Sequence, residues 1–260
     1  MKYVFKNIYH IKKKLKTSTP VLFLDFDLTL SPLAKNPTKA FLPKETKVLL
    51  RKLVKHVPIT IVTGRKLTDI QKRVGIKGIP YVGNHGLEHN LNGKYKNSRI
   101  TTPMRKAIQK IKKELIENVK KYPGIVFEDK KYSIALGYRM VKQKQVLSLK
   151  SWFKGMEVKI QKEGLLEVRL DNKTFEVRPK TKINKGTACL QALRILKKKL
   201  QKNIVPIYIG DSETDEDAFK SLRRGGITIR VGKNKTSRAE WYLQNQKEVN
   251  PFLNLLEVMR

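Results

Sequence analysis

The chain has 260 residues, enough for one large domain or a domain with a smaller companion, and 40% of them are hydrophobic, which excludes disorder as the default. The 57 Lys and Arg residues against 22 acidic ones leave a net charge of +35. The lysines are spread along the whole chain, with no zinc-finger spacing, arginine-rich arm or aromatic RNP-like segment, so no specific nucleic-acid partner is expected, only diffuse attraction to polyanions.

In chain order, the apolar residues Val4, Ile8, Ile11 and Leu15 recur at helical spacing and predict a short helix docked on the core. "VLFLDFD" then reads as a buried strand, and "PKETKVLLRKLVKH" as a helix with Pro43 in its first turn. "ITIVTG" predicts a second strand, "KLTDIQKRV" a short helix and "PYVGNHG" a third strand, with a hairpin turn at Asn92-Gly93. From Pro103 to Pro179 the pattern changes. A long helix, "TPMRKAIQKIKKELIENVKKY", leads to strands "GIVFED" and "YSIALGYR". A second helix, "VKQKQVLSLKSWF", is followed by a separate segment "MEVKIQ". The pair "LLEVRLDN" and "TFEVRP" then alternates in period two around a turn at Asp171-Asn172-Lys173. Beyond it come "INKGTACLQALRILKKKL", a helix with Asn184 as N-cap, the strand "IVPIYIGD", a helix at "TDEDAFKSL", the strand "GITIRVG" and a helical C-terminal stretch. Short apolar strands alternating with helices predict an α/β fold with a parallel sheet covered on both faces. The expected division is a core of residues 1–102 and 180–260 with an inserted α+β domain of residues 103–179 built on an antiparallel sheet. One cysteine, Cys189, excludes an internal disulfide and fits a reducing, cytoplasmic compartment. No apolar run approaches the length of a membrane span, so no membrane partner is expected, and a monomer is.

The first 24 residues contain no acid, yet Asp25 and Asp27 follow at once, at the end of the first buried strand. Ligands of open α/β sheets bind beyond the carboxyl ends of the strands. Those ends also carry Thr63-Gly64-Arg65 and Asp211, with Asp215 one helical turn further and Lys185 opening a nearby helix. This set suits phosphoryl transfer. Asp25 can attack a phosphate monoester to give an aspartyl-phosphate, and Asp27 can protonate the leaving alcohol and later activate water. Thr63 and Lys185 can stabilise the charge on the transferring oxygens. Mg²⁺ held by Asp25, the Asp27 carbonyl, Asp211 and Asp215 would relieve carboxylate–phosphate repulsion. Each segment alone has an ordinary structural explanation, as a turn, a helix start or one lysine among many; their order and their placement at strand ends carry the weight.

"DFDLT", "IVTGR", the lysine of "NKG" and "GDSETD" resemble, in order, the four motifs of the haloacid dehalogenase (HAD) superfamily of phosphatases, whose members with a large cap carry it between the second and third motifs. That resemblance implies a HAD-like core with a Rossmannoid parallel sheet plus an inserted cap. A narrower resemblance, to the trehalose-6-phosphate phosphatase family, rests on "VGNHGLE", "FEDKKYSIALGYR", "FEVRP" and above all "GDSETDEDAF". It implies hydrolysis of trehalose 6-phosphate, with Thr29, Arg65, Asn84 and His85 near the substrate and Glu128, Lys130, Arg139 and Glu176 facing the sugar. Ser212 stands where that family often has a second consecutive Asp. Two alternatives stay open: another sugar-phosphate phosphatase of the same superfamily (sucrose-phosphate or mannosyl-3-phosphoglycerate), and a polyanion-binding protein on an inactive scaffold.

Overall fold

The computed structural model describes residues 1–91, 94–97, 100–171 and 173–258. The first strands and helices are β1 (Lys2–Tyr3), α1 (Ile8–Leu15), β2 (Thr19–Leu24), α2 (Lys44–Leu53), β3 (Ile59–Val62), α3 (Leu67–Val74), β4 (Tyr81–Gly83), β5 (Glu88–Leu91) and β6 (Lys94–Asn97). Then come α4 (Thr102–Val119), β7 (Val126–Asp129), β8 (Ile134–Gly137), α5 (Gln143–Lys162), β9 (Leu166–Asp171) and β10 (Thr174–Pro179). The chain ends with α6 (Lys185–Leu200), β11 (Ile204–Gly210), α7 (Glu216–Leu222), β12 (Ile227–Val231), β13 (Trp241–Leu243) and α8 (Val249–Val258). Two compact units result: Met1–Leu33, Ala40–Lys96 and Ile183–Arg260 form one, Ala34–Lys39 and Asn97–Lys182 the other.

The first unit is built on a sheet ordered β1-β13-β12-β11-β2-β3-β4-β5-β6. Pairing from β1 to β4 is parallel, and β5 runs antiparallel to β4. Val21, Leu22, Phe23 and Leu24 of β2 all have 0% exposure, so both faces of the central strand are covered, as an unbroken apolar run requires. On one face, Ala188, Cys189 and Ala192 of α6 and Ala218, Phe219 and Leu222 of α7 pack on Val21, Phe23 and Tyr208. The small residues of α6 let it approach the sheet closely. The N-terminal helix expected from Val4, Ile8, Ile11 and Leu15 is present as Ile8–Leu15; Ile11 and Leu15 are buried, Ile8 is half-buried, and Val4, also buried, precedes the helix. The edge strand β1 and its neighbour β13, which pair Lys2 with Trp241, have no counterpart in the sequence reading; two or three residues are too few for a period to show.

The second unit is an antiparallel sheet, β7-β8-β10-β9, against which α4 and α5 pack. Its core stacks Phe153 of α5 on Phe175 of β10, ring centroids 3.9 Å apart, with Tyr138 against the same ring at 4.8 Å. "MEVKIQ" is not a separate segment: it continues α5 to Lys162. Phe153, Met156 and Ile160 form one buried helical stripe, while Gly155 lies where an added Cβ would meet nothing within 4 Å. The Asn92-Gly93 turn, and Asn172 in the β9–β10 turn, lie outside the described residues.

Candidate active site

The register of the parallel strands builds the site. Leu24 pairs with Ile209 on one side and Ile61 on the other, so Asp25, Gly210-Asp211 and Thr63 leave the sheet at the same edge. The Asp25 amide donates to the Ile209 carbonyl, which holds the last residue of the run beside β11. Lys185 arrives from the start of α6. Asn184 caps that helix in a reciprocal box with Thr187. A Cβ on Gly186 would lie 2.3 Å from the Asp217 carbonyl, so only glycine lets α6 begin this close to α7.

Lys185 Nζ donates to Asp25 Oδ1 at 2.8 Å and to Asp215 Oδ1 at 2.7 Å, and all three side chains are buried. One carboxylate oxygen from each of Asp25, Asp211 and Asp215 lies within 4.8 Å of the others. Burial pushes the Asp25 carboxyl well above its ordinary range; Lys185 opposes this, and Asp215 and Asp211 add to it. Desolvation also works against the charge of Asp215, but Lys185, Tyr208 and Ser212 outweigh it and hold that carboxyl below its usual value. Burial likewise works against the Lys185 ammonium, and the two carboxylates more than compensate. A centre with three carboxylates and one ammonium, all donors oxygen, fits a hard divalent cation.

Beyond Asp25 the chain turns sharply: Leu28 has φ 58°, and the Leu30 and Ser31 amides both donate to the Phe26 carbonyl. Thr29 is buried in this turn, and its hydroxyl has no hydrogen-bond partner among the described residues. Asp27 is gripped by Arg65, whose Nε and Nη2 donate to its two oxygens at 2.7 and 2.6 Å. Arg65 Nη1 in turn donates to Asp69 Oδ2 at 3.1 Å, and Arg73 Nε donates to the same oxygen at 2.7 Å. Thr63 Oγ1 accepts from the Arg65 amide at 3.2 Å, which leaves its own proton for another acceptor. Asn84 and His85 follow β4 with φ of 49° and 54°; their amides donate to the carbonyls of Arg65 and Thr63. A Cβ on Gly64 would lie 2.4 Å from the His85 ring, so His85 lies directly against the Thr63–Arg65 turn.

The first unit therefore brings together Asp25, Asp27, Thr63, Arg65, Lys185, Asp211 and Asp215, with Thr29, Asn84 and His85 in the adjoining turns. Glu128, Lys130, Arg139 and Glu176 belong to the second unit. There Lys130 and Glu176 form a buried pair at 3.0 Å, with Ser133 Oγ donating to the same Glu176 oxygen at 2.8 Å. Arg139 donates to the Ala34 carbonyl at 2.7 Å. Two participants are missing from the sequence reading, Tyr208, whose hydroxyl donates to Asp215 at 2.5 Å, and Asp69, which braces Arg65; Ser212, read there only as a departure from the family pattern, donates to the Asp215 carboxylate. Tyr208 left one signal, a polar-tipped side chain within the apolar run "IVPIYIG".

Comparison with known proteins agrees with this geometry. A family model described as Trehalose-phosphatase matches residues 23–249. Trehalose-phosphate phosphatase B of Arabidopsis thaliana is 36% identical over 248 residues, which are 91% of this chain and 66% of that protein, so the chain spans just under two thirds of that relative's length. Among solved structures, the C-terminal domain of a C. albicans trehalose-6-phosphate phosphatase aligns with a TM-score of 0.83 at 23% identity, over 97% of each chain. A haloacid dehalogenase-like hydrolase from Bacteroides thetaiotaomicron aligns with a TM-score of 0.61 at 14% identity, over 92% of this chain and 100% of that one. The two structures share the fold, a HAD-like core with its inserted second unit, and the family match extends from β2, ahead of Asp25, to the start of α8: the chain belongs to the trehalose-phosphatase family.

Proposed function

We propose that this chain hydrolyses trehalose 6-phosphate to trehalose and phosphate through an aspartyl-phosphate on Asp25. The observation that carries the reading is the buried Asp25 carboxylate, held 2.8 Å from Lys185 at the strand edge shared with Asp211. Asp25 attacks phosphorus, and the bond to the sugar oxygen breaks. Asp27, once one of its oxygens leaves Arg65 and is protonated, gives that proton to the sugar oxygen and then takes one from the water that cleaves the acyl-phosphate. Thr63 and Lys185 meet the phosphoryl oxygens where charge develops. Asp25, the Asp27 carbonyl and Asp211 would hold Mg²⁺, within reach of Asp215, and the ion would neutralise charge between carboxylates and phosphate. Thr29, Asn84 and His85 border the phosphoryl position. Recognition of the sugar is assigned to Glu128, Lys130, Arg139 and Glu176, on the strength of family membership.

No helix among the described residues is long and apolar enough to cross a membrane, and Cys189 is buried. We place the protein in the cytoplasm, as a monomer. The deciding experiment is phosphate release from a panel of sugar phosphates, with Mg²⁺ and with EDTA. Preferential, Mg²⁺-dependent release from trehalose 6-phosphate is expected. Preference for sucrose 6-phosphate or mannosyl-3-phosphoglycerate would move the substrate assignment, and no release from any ester would overturn the enzymatic reading.

A further inference from the structure

Asp215 belongs to the carboxylate group a cation would choose, yet its acceptor capacity is already committed. Its Oδ1 accepts from Lys185 Nζ at 2.7 Å and from the Tyr208 hydroxyl at 2.5 Å. Its Oδ2 accepts from the amides of Asp211 and Ser212 at 3.1 and 2.9 Å and from Ser212 Oγ at 2.8 Å. A carboxylate offers about four lone-pair positions, so five donors leave none for a metal. Asp215 has 0% exposure, and a cation taking one of its oxygens would orphan a buried donor. Nor can the group turn away. A Cβ on Gly210 would lie 2.4 Å from Asp215 Cγ, so the backbone of β11 is packed against the carboxylate itself.

Two of the donors are particular side chains. Tyr208 is wholly buried, its ring edge-on to Phe219 at 5.6 Å and 87°, so its hydroxyl is aimed by packing. Ser212 stands where an Asp would bring a second charge and no side-chain donor; the serine brings a donor and no charge. We propose that Asp215 is the anchor of Lys185 rather than a ligand of the cation, and that Tyr208 and Ser212 are positioning residues that act through it to keep the ammonium on Asp25. The role given to Lys185 rests on the phosphatase reading above; the absence of Asp215 from the ligand set does not.

The test uses the full chain and two readouts. The first is Mn²⁺ affinity without substrate, followed by the electron-spin resonance of the free ion. Asp211→Asn should weaken it about tenfold or more, while Asp215→Asn and Tyr208→Phe should stay within about threefold of the parent protein. The second is turnover of p-nitrophenyl phosphate, which needs no sugar contacts. There kcat should fall about a hundredfold in Asp215→Asn and about tenfold in Tyr208→Phe, with KM little changed. Ser212→Ala should lose only a few-fold, and Ser212→Thr, which keeps the hydroxyl, should recover it. Should Asp215→Asn fail to fold, Tyr208→Phe and Ser212→Ala, each short of a single oxygen, decide the question. Loss of Mn²⁺ affinity in Asp215→Asn equal to that of Asp211→Asn would make Asp215 a ligand and overturn the proposal. A parental kcat in Tyr208→Phe would reduce that residue to packing and overturn its part. A parent protein that does not hydrolyse the ester would sink the phosphatase reading, and the Mn²⁺ series would still settle the place of Asp215.

Discussion

A lysine at the first position of a helix is electrostatically misplaced, because its charge meets the positive end of the helix dipole. Lys185 tolerates that position because Asp25 and Asp215 surround it, and it in turn makes it affordable to bury two carboxylates. The charges thus define one another. On the proposed mechanism Asp25→Asn removes the nucleophile and should abolish turnover, and Asp27→Asn should cost about 10²–10⁴-fold, as for a lost general acid and base. Single-turnover assays check both: near-parental rates in Asp25→Asn, with contamination excluded, would refute the covalent mechanism. Removing the cation leaves Asp25 and Asp211 facing an anionic substrate, so EDTA should stop the reaction and Mg²⁺ restore it. Asp211→Ala should raise the Mg²⁺ concentration needed for half-activity or abolish the activity, and a titration of rate against Mg²⁺ distinguishes these outcomes from indifference.

At the scale of elements, the helix α5 is set by the packing of one face. Gly155 sits on its solvent side with nothing near it, while Leu149, Phe153, Met156 and Ile160 form the buried stripe. Gly155→Ala should therefore stabilise the protein by about 0.5–1 kcal/mol, read from denaturant unfolding; a loss would mean that the glycine serves a contact. In the second sheet, the Lys130–Glu176 pair joins the β7–β8 turn to β10 and is buried rather than a solvated cross-strand pair. Lys130→Ala takes the countercharge from buried Glu176, which keeps the Ser133 hydroxyl, and should cost about 3–5 kcal/mol, whereas Lys130→Met with Glu176→Leu should recover most of it. If the pair also recognises sugar, the double variant keeps p-nitrophenyl phosphate hydrolysis and loses trehalose 6-phosphate; equal retention of both would make the pair purely structural. The strands and the residues at their ends were legible because an apolar run that ends in Asp25, Thr63 or Asp211 declares both its burial and its exit. Tyr208, Asp69 and the role of Ser212 were not, because their meaning lies in hydrogen bonds that exist only once the turns have closed. The continuation of α5 through "MEVKIQ" was missed as well, because the stripe of Phe153, Met156 and Ile160 that carries it crosses the point where the sequence reading ended the helix.

For the whole molecule, the net charge of +35 is a self-repulsion that folding must overcome. Exposed lysines feel one another across about 10 Å or more when salt is scarce, and much less at physiological ionic strength. The melting temperature should therefore rise between about 20 and 200 mM NaCl, and binding to a generic DNA duplex, followed by fluorescence anisotropy, should be weak and vanish over the same range. Tight, sequence-selective binding that survives the salt would restore a nucleic-acid role. The hydrogen bond from Arg139 to Ala34 has a different reach, since it spans 105 positions and ties the stretch Ala34–Lys39 to the second unit. The chain therefore passes between its units four times, not the two expected of a simple insertion. Exchanging this unit between relatives as a cassette would need two grafts: a transplant of 97–182 alone would leave six of its residues, Ala34–Lys39, behind.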